Sequence, residues 1–437
     1  MYSCGPTVYS YPTIGNMRTY VFSDLLKRVL LYNGFKVKHV MNVTDVGHLT
    51  SDRDEGEDKM EIAARKEHKT AREIANFYFS VFKEDMNKLG IISPNLWPKA
   101  TGHIKEQIEL IKKLEKKGYT YRTSDGIYFN AGKFKRYAQF AKLNVEHLEA
   151  GKRVGVGEKK HKTDFALWKF SQSDSKRQQE WPAFGSVGYP GWHIECSAMS
   201  MKYLGEHFDI HTGGEDHVPV HHTNEIAQSE SATGKKFVNY WLHGAFLTFD
   251  GEKVSKSKGG LYTLSELEEQ GYKPEHFRYL CLLTHYRKPL DFSFEHLDAA
   301  KNAYEKVKRK ILELKKQKHK GSDGTKSYEK EFLSAVNDDL NLPLGVQVFL
   351  KVLNDDSFDA RKKLALLEGF DAVLGLGIKG MKEEKTKITA DVRGLVDERE
   401  QARKQGEWVK ADLLRKKISD QGYSVEDTSS GPLLKKG

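Results

Sequence analysis

MYSCGPTVYSYPTIGNMRTYVFSDLLKRVLLYNGFKVKHVMNV, residues 1–43, holds three elements in a fixed order. Residues 1–8 read as a short strand that runs into the turn Cys4-Gly5-Pro6-Thr7. Residues 18–32 place Val21, Leu25, Leu26, Val29 and Leu30 at helical spacing, and Gly34 ends the helix. Residues 36–43 carry Val37, Val40, Met41 and Val43 into a second strand. A helix between two strands is a crossover, so the strands pair in parallel. Between the first strand and the helix lies Pro12-Thr13-Ile14-Gly15-Asn16. A helix start attracts anions. Gly15 lets a nucleotide come close to the backbone, and Thr13 and Asn16 supply donors. The same two residues also make good helix caps, and spacing alone does not separate the two uses.

Downstream, residues 71–89 and 103–117 read as amphipathic helices. From 94 to 188 the pattern changes to short strand-like pieces (119–121 and 126–129) and a charged stretch at 151–162. This segment reads as an insertion into the first domain. Sheet character returns at 208–210 and 242–249. Past residue 290 the chain reads as almost purely helical. Residues 297–318 form a lysine-rich helix, and Gly321-Ser322-Asp323-Gly324 has linker composition. Residues 328–376 give two or three helices, 379–387 a charged break, and 391–405 and 408–421 a final helical pair.

At 437 residues the chain is long enough for about three domains. Hydrophobic residues are 38% and charged residues 30%, a balance that excludes a disordered chain. The net charge of +10 favours a polyanionic partner, although solvated faces give the same excess. Three scattered cysteines do not make a disulfide framework and point to a reducing compartment. No basic start followed by an apolar run opens the chain. No run of about 18 apolar residues offers a membrane span.

Three segments bear phosphate-type chemistry. Lys253-Val254-Ser255-Lys256-Ser257 sets two lysines among small residues after a predicted strand, suited to charge that develops on phosphate oxygens; an exposed basic turn reads alike. The Thr13–Asn16 turn is the second. His211-Thr212-Gly213-Gly214-Glu215-Asp216 is the third, with paired glycines and a carboxylate fit for a ribose. Metal chemistry centres on Cys4, Cys196, His221 and Glu225. On a helix over 218–229, His221 and Glu225 share one face at i and i+4, and the four side chains suit zinc. His222 is the rival ligand, turned about 100° away on a regular helix. Taken alone, these residues read more simply as two buried thiols and a helix-surface His/Glu pair, since buried free cysteine is common.

Taken in order, Cys4-Gly5-Pro6-Thr7-Val8-Tyr9, Thr13-Ile14-Gly15-Asn16, residues 191–199, residues 221–228 and residues 253–257 resemble cysteinyl-tRNA synthetases over nearly the whole chain. The resemblance implies a class I aminoacyl-tRNA synthetase of the α/β class. A Rossmann-type parallel-sheet catalytic domain (1–93 and 189–295) would carry a connective insertion (94–188). A helical bundle (296–380) and a small anticodon-recognition region (381–437) would follow, the C-terminal part being all-helical. It implies a zinc ion held by Cys4, Cys196, His221 and Glu225, and a cysteine pocket lined by Thr44 and Trp192. ATP, with Mg²⁺, would be bound by Gly15, Gly213, Gly214, Asp216 and Lys256, with Thr13, Asn16, Lys253 and Lys256 acting in catalysis. L-cysteine and cysteine tRNA would be the other substrates of a cytoplasmic monomer.

The tRNA contacts expected from this resemblance are Trp408, Arg415 and Lys416, while Arg278, His285, Tyr286 and Arg287 would join the two halves. The sequence departs from the family in three places. Thr13 and Asn16 replace the histidines of His-Ile-Gly-His, but both can still donate to phosphate. Val254 stands where Met is usual. The chain begins later than members usually do. Two alternatives use the same residues: an adenylate-forming cysteine ligase acting on an amino-sugar, and a non-catalytic RNA-binding paralogue. The Gly-Pro-Thr after Cys4 and the basic helical C-terminus argue against the first. Lys253, Lys256 and the complete zinc set argue against the second.

Overall fold

The structure, a computed structural model, describes residues 1–47, 58–137, 139–142, 158–171, 177–249, 252–253, 262–317, 326–357, 359–383, 390–428 and 431–436. It forms two compact units, Met1–Lys379 and Gly380–Gly437.

The opening crossover is present, and the sheet it builds is parallel. Tyr2–Ser3 lies between Val40–Met41 and Phe208–Gly214, and Val238–Gly244 flanks the last. The two opening strands are shorter than the sequence implies. Only Val40–Met41 of the expected 36–43 pairs with the first strand. Phe35, Lys36 and Lys38 are exposed and Val37 is only half-buried, so no buried face holds them in register. The crossover helix Ile14–Tyr32 begins at Thr13, which with Asn16 forms a capping box. Thr13 N–H donates to Asn16 Oδ1 at 3.0 Å, and Asn16 N–H returns to Thr13 Oγ1 at 3.3 Å.

Residues 120–190 contain an antiparallel five-stranded sheet in the order Thr120–Arg122, Gly126–Phe129, Phe165–Phe170, Ser186–Pro190, Trp181–Ala183. Its strand Ser186–Pro190 runs directly into the helix Trp192–Leu204. That helix serves two cores. Ile194 and Ala198 pack with Phe129, Leu167 and Trp168 of the insertion, while Cys196 packs with Tyr2, Cys4 and Phe208 of the parallel sheet. Burial on both sides fixes the rotation of the helix and therefore the direction of Cys196.

The helix expected over 218–229 starts differently. Val218–His222 is a π-turn with Pro219 in it, and the α-helix proper is Thr223–Thr233. Proline lacks the N–H that a regular turn would use, and such wide turns recur at functional sites.

Helices Phe294–Lys316, Lys326–Asn337, Leu342–Asn354 and Ala360–Leu374 follow. Arg278 ties them to the sheet domain. It is 1% exposed and donates to Asp24 Oδ2 at 2.8 Å, to the Leu89 carbonyl at 2.9 Å and to the Leu374 carbonyl at 2.9 Å. Each buried N–H group used has an acceptor, as a buried guanidinium requires. Arg287 pairs with Asp339 at 2.5 Å, and Tyr286 OH donates to the same carboxylate at 2.7 Å.

The second unit contains the expected helical pair, Ala390–Lys404 and Trp408–Asp420, and adds an antiparallel hairpin, Tyr423–Thr428 with Gly431–Lys436. Tyr423 and Val425 alternate inward onto Val392, Val396 and Ile418. That period of two was the available signal. Among the described residues no helix is long and apolar enough to cross a membrane.

Candidate metal and substrate site

A cavity of about 190 Å³ opens where the first strand ends. Its wall includes the 4–12 segment, Asn16 and Thr44 from the opening domain, Trp192 and Cys196 from the helix after the insertion, and Gly214, Asp216, His217 and His221 from the third parallel strand and the turn beyond. Three of these segments meet here because each strand of a parallel sheet delivers its following loop to the same edge, and the helix Trp192–Leu204 packs against that edge.

One end of the cavity is rich in metal donors. Cys4, Cys196, His221 and Glu225 are all buried, and one donor atom from each lies within 4.8 Å of the others. His221 Nε2 is 3.1 Å from Glu225 Oε1. Burial opposes charge on His221, yet the Glu225 carboxylate and the Cys196 sulfur outweigh it and push the ring up to about 10. Burial likewise opposes charge on Glu225, but His211 and His221 hold it down to about 2. Burial pushes the Cys4 thiol well above its ordinary value, with the adjoining Cys196 and the Glu225 charge adding to it. The Cys4 hydrogen bond draws Cys196 the other way. Charges this deeply buried need a partner, and soft sulfur with imidazole and carboxylate suits zinc. The donor set fits that metal.

Other histidines crowd the same end. His211 Nε2 is 3.1 Å from Glu225 Oε2, and His222 Nε2 is 3.3 Å from Cys4 Sγ. His222 is therefore not turned away from the site. The 100° separation holds for a regular helix, whereas 218–222 is the π-turn, and Cys4 lies within reach of both rings. His193 Nδ1 approaches His221 Nδ1 at 2.9 Å, and His243 Nε2 approaches His222 Nδ1 at 2.7 Å. Sequence reading gave His211, His193 and His243 no part in the metal site. Strand alternation was a usable signal for two of them. His211 stands opposite Tyr2, and His243 shares a strand face with Trp241.

The expected pocket residues flank the metal donors. The Trp192 ring lies 4.7 Å from His221. Thr44 Oγ1 accepts from Asn42 Nδ2 at 3.0 Å and donates to Glu195 Oε2 at 3.3 Å. Gly214 and Asp216 reach the cavity wall, whereas Gly213 lies beneath the histidines. A Cβ there would stand 2.6 Å from His217 Nδ1 and 2.7 Å from His222 Cε1. Gly213 is thus a packing requirement of the histidine layer.

At the other end, Pro12 and Asn16 join the cavity wall at the N-terminus of the helix Ile14–Tyr32. Gly15 has no contact closer than 3.6 Å at its Cβ position. The capping box uses the Asn16 Oδ1 atom, so the Nδ2 donor is not consumed by it. Lys253 forms a ladder with Thr248. Val254, Ser255, Lys256 and Ser257 lie outside the described residues.

Residues 1–302 match the family model for the tRNA synthetases class I (C) catalytic domain. The chain is 47% identical over 435 residues to cysteine–tRNA ligase 1 of Burkholderia lata, covering 99% of this chain and 92% of that protein. The chain belongs to the class I cysteine–tRNA ligases. The cysteine–tRNA ligase of Treponema denticola is 40% identical over 469 residues, covering 100% of this chain and 95% of that one. Among solved structures, Mycobacterium tuberculosis methionyl-tRNA synthetase in complex with methionyl-adenylate is similar at a TM-score of 0.58 and 12% identity. The match covers 86% of this chain and 89% of that one. At that identity the likeness concerns the fold, a class I α/β domain followed by helices. The chain is accordingly an aminoacyl-tRNA ligase with a possible Cys/His/Glu metal site.

Proposed function

We propose that this ligase activates cysteine with ATP and transfers it to the 3′ end of cysteine tRNA. The observation that carries the reading is the convergence of Cys4, Cys196, His221 and Glu225 beside a cavity walled by Thr44 and Trp192. Those four residues would hold one zinc ion per chain. When bound, zinc supplies a Lewis acid that accepts a thiolate far better than a hydroxyl, a distinction that shape cannot make between near-isosteres.

This chain's own groups do the rest. Trp192 and Thr44 confine the small side chain. The start of the helix Ile14–Tyr32 presents its positive dipole to the triphosphate. Gly15 leaves its approach open, and Thr13 and Asn16 hold the turn in shape. Asp216, beside Gly213 and Gly214, accepts from ribose hydroxyls. The cysteine carboxylate attacks the α-phosphate and pyrophosphate leaves; Mg²⁺ would neutralise phosphate charge. Lys253 and Lys256 stabilise the charge that develops there. The terminal ribose hydroxyl of tRNA then takes the acyl group, and AMP leaves. We assign residues 94–188 to the connective insertion, 296–380 to the helical bundle and 381–437 to anticodon recognition, in a cytoplasmic monomer.

The test is cysteine-dependent ATP–pyrophosphate exchange on zinc-stripped protein, with serine as competitor, followed by charging of cysteine tRNA. Loss of exchange that zinc restores, with serine rejected throughout, is expected. Normal exchange without zinc would overturn the metal's role.

A further inference from the structure

We propose that Cys4, His211, His222 and Glu225 form a second metal position, set deeper than the cavity-side position and exclusive with it. The proposal rests on the metal reading above. The four donors are all buried and lie within 4.8 Å of one another. The shared carboxylate faces one histidine of each set. Glu225 presents Oε1 to His221 and Oε2 to His211, both at 3.1 Å. Cys4 Sγ lies 3.3 Å from His222 Nε2. The two deep rings are held in place from behind. His222 Nδ1 is 2.7 Å from His243 Nε2, and His211 stacks on Trp241 at 4.5 Å and 19°. Outer partners of this kind orient metal ligands.

A four-coordinate ion in either set uses both Cys4 and Glu225, so one ion occupies one position at a time. The positions differ in access. Cys4, Cys196 and His221 line the cavity, but of the deep set only Cys4 does. They also differ in charge. Two thiolates and a carboxylate leave a divalent ion with one negative charge in excess, whereas one thiolate and a carboxylate leave it neutral. Deep burial favours the neutral complex. The deep set therefore retains the ion when Cys196 is unavailable, out of reach of a substrate sulfur.

The experiment measures Zn²⁺ affinity of the full chain by chelator competition, with Co²⁺ absorption to count thiolates. Cys196→Ala and Cys196→Ser should each keep one ion per chain, with one thiolate in the cobalt spectrum and affinity lowered by about tenfold or less. Adding His211→Asn to either should remove at least about a hundredfold more. His211→Asn alone leaves the four cavity-side ligands in place and should lower affinity by less than it does in the Cys196 variants. Loss of the ion from both Cys196 variants, or their failure to fold, overturns the second position. If the unmodified chain binds no zinc, or Cys4→Ser binds it unchanged, the first metal reading itself fails.

Discussion

The two ends of the cavity are made of different materials. At the metal end, four buried side chains converge from a strand end, a helix, a π-turn and a second helix. At the phosphate end, the structure is mainly backbone: a helix start with exposed Asn16 and the glycine before it. A site that reads a side chain's chemistry needs donors held from several directions. A site that attracts an anion needs only aligned N–H groups. The metal end therefore depends on its shared ligands Cys4 and Glu225, whereas the proposed phosphate end would accept Thr13 and Asn16 in place of histidines.

Substitutions grade this contrast. The largest effect belongs to Cys4→Ser. Outer partners of a metal cost 10–100-fold, so a lost ligand should lower zinc affinity by about a thousandfold. Chelator competition and exchange activity should fall together. The protonation of this end adds a pH signature. His221 is charged up to about pH 10 in the metal-free site, and the Cys4 thiol is protonated. Zinc must displace both protons, so affinity should rise with pH, and calorimetry at pH 8 in buffers of different ionisation enthalpy should show net proton release on binding. Proton-neutral binding would place the metal elsewhere.

Next is Lys256→Ala, expected to slow adenylate formation by about a hundredfold while cysteine binding changes little. Equal small losses in both would remove the lysine from the phosphate end. Gly213→Ala drives a Cβ into His217 and His222 and should destabilise by about 1–3 kcal/mol, seen as a lower melting temperature with weaker zinc binding. The smallest effect is Thr13→Ala, which removes half of a capping box at about 1 kcal/mol. Its exchange rate should stay within about tenfold of the parent. A loss as large as that of Cys4→Ser would mean that Thr13 acts on substrate directly and that the contrast between the ends is wrong.

Much of this was readable from particular residues. Val21, Leu25, Leu26 and Val29 announce the first helix, and the crossover announces a parallel sheet. The i, i+4 spacing of His221 and Glu225 survives the π-turn. What escaped reading has specific causes. His222 entered the site because Pro219 sits in a widened turn, which periodicity does not encode. His211 and Cys4 meet only through strand pairing across some two hundred residues. The hairpin at 423–436 follows the helical pair with only one short alternating strand to announce it.

Sequence by itself determined what depends on neighbours along the chain: helix faces, caps, glycine turns and the supply of cysteine, histidine and carboxylate donors. Tertiary structure alone decided which donors meet. The direction of Cys196 comes from a helix packed between two cores, and the exchange of partners at Cys4 and Glu225 comes from histidines on separate strands and turns. Local preferences act over a few residues, whereas a buried donor cluster exists only when distant segments are packed at fixed rotation.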